Sequence, residues 1–151
     1  MNSVWPVQVR FGGLGGQGLV TLGAVLAEAG ALDGLQVAAS QAYGSRARGG
    51  ATRSDVILSN GEIEFPHVIH PDLLVVLAQE AYDLYADGIA PGGVLLADDF
   101  FVKPNLKLNA RQLTIPGTRT AMEGAKNKVA ANFVMLGSLV AFSQEIGRAH
   151  V

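Results

Sequence analysis

Residues 12–18, Gly12-Gly13-Leu14-Gly15-Gly16-Gln17-Gly18, decide how the chain is read, because a strand pattern precedes them and a helix pattern follows. Upstream, Val7, Val9 and Phe11 alternate with Gln8 and Arg10, the two-residue period of a strand. Downstream, Leu19, Val20, Leu22, Gly23, Leu26, Ala27 and Gly30 recur at spacings of three and four, which gathers them on one helical face. Gly13-x-Gly15-x-x-Gly18 in that setting fits the dinucleotide fingerprint. Its glycines admit positive φ and close backbone approach, while N–H groups at the helix start face an anion. The turn is a candidate phosphate cradle; the alternative is that its glycines only let helix and sheet pack closely. A nicotinamide site would also need an acid at the end of the second strand, to hold ribose hydroxyls. That strand, Leu35 to Ser40, runs into Gln41-Ala42, and Asp33 precedes it.

With 151 residues the chain has room for one domain with a sizeable core, so 1–151 reads as a single unit. Charged residues are 16% of it, against about 25% in an ordinary soluble domain, which suggests that other subunits cover part of the surface. The net charge of −2 gives no general attraction to nucleic acid or to an anionic membrane. The absence of cysteine excludes disulfides, thiolate metal sites and ligation of an iron–sulfur cluster by this chain. Met1 to Pro6 lacks the basic and apolar regions of a signal peptide, so the expected location is the cytoplasm. At the other end, residues 145–151 look like the translation of a sequencing adapter and are set aside as foreign to the gene.

Turn signals and apolar runs alternate as in a parallel sheet flanked by helices. After the helix from about Gln17 to Leu32 and the second strand, Gln41 to Gly50 has neither period and reads as an ordered loop. Ser54 to Ser59 reads as a strand, and Asn60-Gly61 as a hairpin turn into Glu62-Ile63-Glu64-Phe65. The continuous apolar run Leu73 to Leu77 predicts a strand buried on both faces, and Val94 to Ala97 another, ending in Asp98-Asp99. A helix over Gln79 to Ala86 lies between them. Residues 100–111 look irregular, Leu113 to Ile115 forms a short last strand, and a long helix starts near Lys126. Its apolar stretch, Val129 to Phe142, is shorter than the ~20 residues of a membrane span, so core plus subunit interface is expected. The fold class predicted is α/β: a Rossmann-like three-layer domain with a mostly parallel sheet, one antiparallel hairpin insertion and a long C-terminal helix.

Arg46, Arg48 and Arg53 fall within eight residues of a slightly acidic chain, in or beside the loop after the second strand. Guanidinium forks bind phosphate, and the loop would share the carboxyl edge of the sheet with the glycine turn. The alternative is that these arginines pair with acids. His67-x-x-His70 has a metal-like spacing but is flanked by prolines, with only Asp72 as a third ligand. Asp98-Asp99 could hold a metal or a ribose, or be a solvated strand end; Tyr82 and Tyr85 read as helix packing. No catalytic motif is evident, and no metal site is assigned.

Several of these stretches together resemble the gamma subunit of 2-oxoacid:ferredoxin oxidoreductases. They are Gly13 to Gly18, Gln41-Ala42-Tyr43-Gly44 with Arg48-Gly49-Gly50, Phe65-Pro66, Pro71 to Leu74, Pro91-Gly92-Gly93 and Asn132 to Gly137, and the likeness covers about residues 7–144. The Gln-x-Tyr-Gly form and the run Arg48 to Asp55 are most similar to 2-oxoglutarate enzymes, with pyruvate, branched-chain oxoacid and indolepyruvate relatives as alternatives. The resemblance implies oxidative decarboxylation of a 2-oxoacid to an acyl-CoA, with electrons passed to ferredoxin. It implies alpha and beta subunits, with delta a further candidate, that carry thiamine diphosphate, Mg and iron–sulfur clusters. This chain would help to bind coenzyme A, through Gly13, Gly15, Gly16, Gln17 and Gly18 as the phosphate turn and Arg48, Gly49 and Gly50 as a second loop. Arg46 joins them by charge and proximity alone. Family members extend the last helix and add more chain, so an interrupted C-terminus is expected here. The competing function is a free-standing Rossmann-type nucleotide-binding module without oxidoreductase partners.

Overall fold

A computed structural model describes residues 5–44 and 50–149, with 144–149 as backbone only. Six strands form one sheet: β1 (Val7–Leu14), β2 (Gln36–Ala42), β3 (Ala51–Ser59), β4 (Leu73–Val76), β5 (Val94–Asp98) and β6 (Arg111–Ile115). Four helices accompany them: α1 (Leu19–Leu32), α2 (Gln79–Tyr85), α3 (Gly117–Gly124) and α4 (Ala131–Ala149). The strand order is β2-β3-β1-β4-β5-β6. Neighbours from β1 to β6 pair in parallel, whereas β3 is antiparallel to both β1 and β2. One reversed strand is therefore set into a sheet whose other strands run the same way.

The antiparallel hairpin exists, but its place differs from the one expected. It is formed by β2 and β3, while residues 62–65 form no strand. Both edges of β3 are already hydrogen-bonded, one to β1 and one to β2, so a strand returning after Asn60-Gly61 has nothing to pair with. The Gly61 N–H bonds to Ser59 Oγ at 3.1 Å instead. A second difference is α3, which was not expected; Gly117 lets its first turn close on Met135, whose Sδ would lie 2.8 Å from an added Cβ.

The side chains of β4 and β5 alternate between two cores, as the strand period requires, and β1 and β3 add chiefly to the first. Val9, Phe11, Val56, Val75 and Leu96 pack with Leu22 of α1 and with Met135 and Leu139 of α4. On the other face Leu74, Val76 and Leu95 pack with Ala81 and Tyr82 of α2. The continuous apolar runs of β4 and β5 thus serve both layers. Helix α4 is split between the first of these cores and solvent: Met135 and Leu139 are buried, while Phe133 and Val140 are exposed. Among the described residues no helix is long and apolar enough to cross a membrane.

Candidate functional site

The glycine turn divides into residues that brace it and residues that open it. Gly13 lies inside β1 opposite Thr52, and a Cβ there would fall 2.4 Å from Gln17 Oε1, so it is a packing position. Gln17 staples the turn: Oε1 accepts from Leu14 N–H at 2.7 Å, and Nε2 donates to the Leu77 carbonyl at 3.0 Å. Its own N–H donates to the Leu14 carbonyl at 3.3 Å. Gly15 and Gly16, in contrast, face open space, since a Cβ on either would meet nothing within 4 Å. Gly16 has φ +87° and Gly18, the cap of α1, has φ +75°, conformations that L side chains strain to adopt. Among the described residues the N–H groups of Gly15, Gly16 and Gly18 have no acceptor. With the positive end of α1 behind them, they are suited to an anion.

Beside the turn is a cleft of about 200 Å³, with Gly15, Gly16 and Gln17 on one side. Lys128, Val129 and Asn132, from the start of α4 and the short turn before it, form the other side. Leu77, Asp98 and Phe101 come from the ends of β4 and β5. Sites for drug-sized ligands start near 300 Å³, so this cleft takes part of a larger molecule. Asp98 is fully buried, which excludes a solvated strand end. Its carboxylate accepts the Thr118 hydroxyl, Thr118 N–H at 3.3 Å and Phe100 N–H at 3.2 Å, and so holds α3 to the sheet. Asp99 pairs with the exposed Arg119, and that hydrogen bond, with the carboxylate charge, pushes the guanidinium pKa up.

Asn132 stands apart from the rest of the cleft. It is 4% exposed, and its Oδ1 is buried without a hydrogen-bond partner among the described residues. Its amide packs on the turn, because a Cβ on Gly18 would lie 2.3 Å from Asn132 Nδ2. An orphaned buried acceptor costs about 1–3 kcal/mol, and in a native fold it calls for an explanation.

The second loop is described only at its base. Arg46, Arg48 and Gly49 lie outside the described residues. Gly50 has φ +107°, and a Cβ on Gly44 would be 2.9 Å from Gly50 Cα, so the two feet of the loop touch. Ala51 pairs with Leu14, which sets the base of the loop across from the glycine turn at the carboxyl edge. The strand beside the turn is β3, at its start, with β2 one strand further out. Arg53 follows the alternative reading and pairs with Asp55 at 3.5 Å. His67 packs edge-on against Phe65, and His70 Nδ1 lies 3.0 Å from the Gly88 carbonyl. Tyr82 Oη donates to Gln112 and accepts from Asn105 N–H, which agrees with a packing role.

An open, mostly parallel sheet with a glycine turn and a cleft at its carboxyl edge defines a Rossmann-like domain. The chain belongs to the pyruvate ferredoxin/flavodoxin oxidoreductase family, which matches residues 8–151. It is 42% identical over 144 residues to 2-oxoglutarate synthase subunit KorC of Methanocaldococcus jannaschii, covering 93% of this chain and 77% of that one. It is 34% identical over 135 residues to ketoisovalerate oxidoreductase subunit VorA of Methanothermobacter marburgensis, covering 89% of this chain and 28% of the longer relative. The gamma subunit of a keto/oxoacid ferredoxin oxidoreductase from Geobacter sulfurreducens superposes with TM-score 0.81 and 39% identity, over 90% of this chain and 75% of that one. The 2-oxoglutarate:ferredoxin oxidoreductase of Magnetococcus marinus, solved with 2-oxoglutarate, coenzyme A and succinyl-CoA bound, superposes with TM-score 0.80 and 26% identity, over 89% of this chain and 24% of that one. The protein is accordingly a subunit of a 2-oxoacid:ferredoxin oxidoreductase, and a free-standing nucleotide module is not favoured.

Proposed function

We propose that this chain is the gamma subunit of a cytoplasmic 2-oxoglutarate:ferredoxin oxidoreductase and helps to hold coenzyme A while the 2-oxoacid is oxidatively decarboxylated. The observation that carries this reading is the pair Gly15 and Gly16, open to space and next to N–H groups without acceptors. Such a turn suits a diphosphate. In support of the oxoacid, identity to the 2-oxoglutarate relative is 42%, against 34% for the ketoisovalerate and 30% for a pyruvate relative.

In this reading the Gly15, Gly16 and Gly18 amides hold the diphosphate, and Lys128 adds a positive charge at the cleft. Arg48, with Arg46, serves the ribose 3′-phosphate, and Gly49 and Gly50 let the loop approach. Gln17 keeps the turn in shape. Coenzyme A supplies the thiol that accepts the acyl group. Alpha and beta subunits, and delta where present, carry the thiamine diphosphate, Mg and iron–sulfur clusters, and ferredoxin docks on the complex.

Calorimetry on the assembled complex tests the anion site. Gly16→Asp should abolish coenzyme A binding, because a carboxylate would project into the open space beside the diphosphate. Arg48→Ala should weaken binding by about 1.5–3 kcal/mol, roughly ten- to a hundredfold. With dephospho-coenzyme A the arginine effect should vanish. Unchanged affinity in both variants would leave the two loops as packing features only.

A further inference from the structure

The sheet order gives the glycine turn two different sides. The base of the second loop, Gly44 and Gly50, lies on the β3–β2 side, and the cleft, lined by Leu77 after β4 and Asp98 at the end of β5, lies on the β4–β5 side. A coenzyme A molecule with its diphosphate on the turn can send one half toward each side. This step rests on the coenzyme A reading above.

The chemistry of the cleft selects which half enters it. Lys128 is taken up by the diphosphate in that reading, and the buried Asp98 carboxylate then disfavours a further phosphate beyond it, which argues against the 3′-phosphoadenosine half. The pantetheine arm is uncharged, and its carbon skeleton matches Leu77, Phe101 and Val129. Its amides also supply what the cleft lacks: a donor for the unpartnered, buried Oδ1 of Asn132.

We infer that Asn132 reads the pantetheine arm, accepting an amide N–H from it in the cleft between the glycine turn and the start of α4. Gly18 belongs to the same device. Lacking a side chain, it lets the Asn132 amide lie against the turn, so diphosphate and arm are registered on one rigid unit.

The test uses the assembled complex with Asn132→Leu, which keeps the volume of the side chain and removes its polar atoms. Coenzyme A affinity should fall roughly five- to tenfold, the effect of one lost hydrogen bond. Displacement calorimetry should show the same loss for 4′-phosphopantetheine and none for adenosine 3′,5′-bisphosphate. The variant should melt no lower than the parent, since an orphaned acceptor has been removed. Equal losses for both halves, a loss confined to the adenosine half, or unchanged coenzyme A affinity would overturn the assignment. If Gly16→Asp also left coenzyme A binding intact, the coenzyme A reading would fail first, which separates the two failures.

Discussion

Replacing Asp55 by alanine should be among the most damaging single changes to this fold. Arg10 and Asp55 face each other across β1 and β3 and are 6% and 3% exposed. Arg10 Nε donates to Asp55 Oδ1 at 2.8 Å, and Nη2 donates to Oδ2 at 3.0 Å and to the Val68 carbonyl at 2.9 Å. The guanidinium also lies 5.2 Å from the centre of the Tyr85 ring. Removing the carboxylate strands a buried cation, and breaking such a pair from one side costs about 3–5 kcal/mol. Typical domain stability is only about 5–15 kcal/mol, and each kcal/mol moves the midpoint by about 2–4 °C at this length. Asp55→Ala should therefore lower Tm by roughly 10 °C. The double variant Arg10→Met, Asp55→Val should recover most of the loss, since apolar replacement of a buried pair is often neutral. It should keep a deficit of about 1 kcal/mol from the Val68 carbonyl, which loses its donor. Urea unfolding of parent, both single variants and the double variant closes the cycle. An Asp55→Ala loss under 1 kcal/mol, or a double variant as weak as the sum of the singles, would refute the argument.

Burial pushes the Asp72 carboxyl pKa up from the usual 3.8, while the Gln8 N–H bonded to it at 2.8 Å partly opposes the shift. A folded-state pKa above the unfolded one gives stability that is full below the unfolded value and is lost as pH rises through the folded value. Asp72→Asn keeps an acceptor for Gln8, so unfolding midpoints should shift in its favour as pH rises from about 4; a pH-independent difference would contradict this. Phe133→Glu lies on the exposed face of α4 and should change chain stability by no more than about 0.5 kcal/mol while reducing co-purification with partner subunits. Equal damage to both would make that face a folding element. The chain alone, without cysteine, should neither decarboxylate 2-oxoacids nor reduce a viologen dye; turnover with soluble substrates only would contradict the subunit assignment.

What the sequence made legible was local. The strand before Gly12, the glycine turn, α1 and the two apolar central strands each carry their signal within a dozen residues. The position of β3 could not be read that way, because its partners lie 37 or more residues away along β1 and its reversal is settled by pairing, not propensity. Asn60-Gly61 is a sound turn signal, and occupied strand edges overrode it. Helix α3 carries little signal because glycine stands at both its ends and its buried residues, Gly117, Thr118 and Ala121, include no large apolar side chain. At the site, the role of the glycines was visible in outline. That Gln17 is a brace, and that Asn132 touches Gly18, are contacts between distant residues. The sequence marks Asn132 only as a polar residue on an otherwise apolar helix and as the first of the run Asn132 to Gly137 in the family resemblance.

The reversed strand also explains the missing acid. In the usual dinucleotide-binding arrangement the second strand lies beside the first and runs with it, so a carboxylate at its end can reach the ribose near the turn. Here that berth belongs to β3, whose end nearest the turn is its beginning, Ala51 and Thr52. The end of β2 is displaced by two strand spacings, about 10 Å from β1. An acid placed at Ala42 would stand outside hydrogen-bonding range of a ribose beside the glycines. The gap in the fingerprint is thus a matter of address: one interposed strand moves the position that confers nicotinamide preference away from the ligand. A family built on this plan would remain free to keep the glycines and change what they hold.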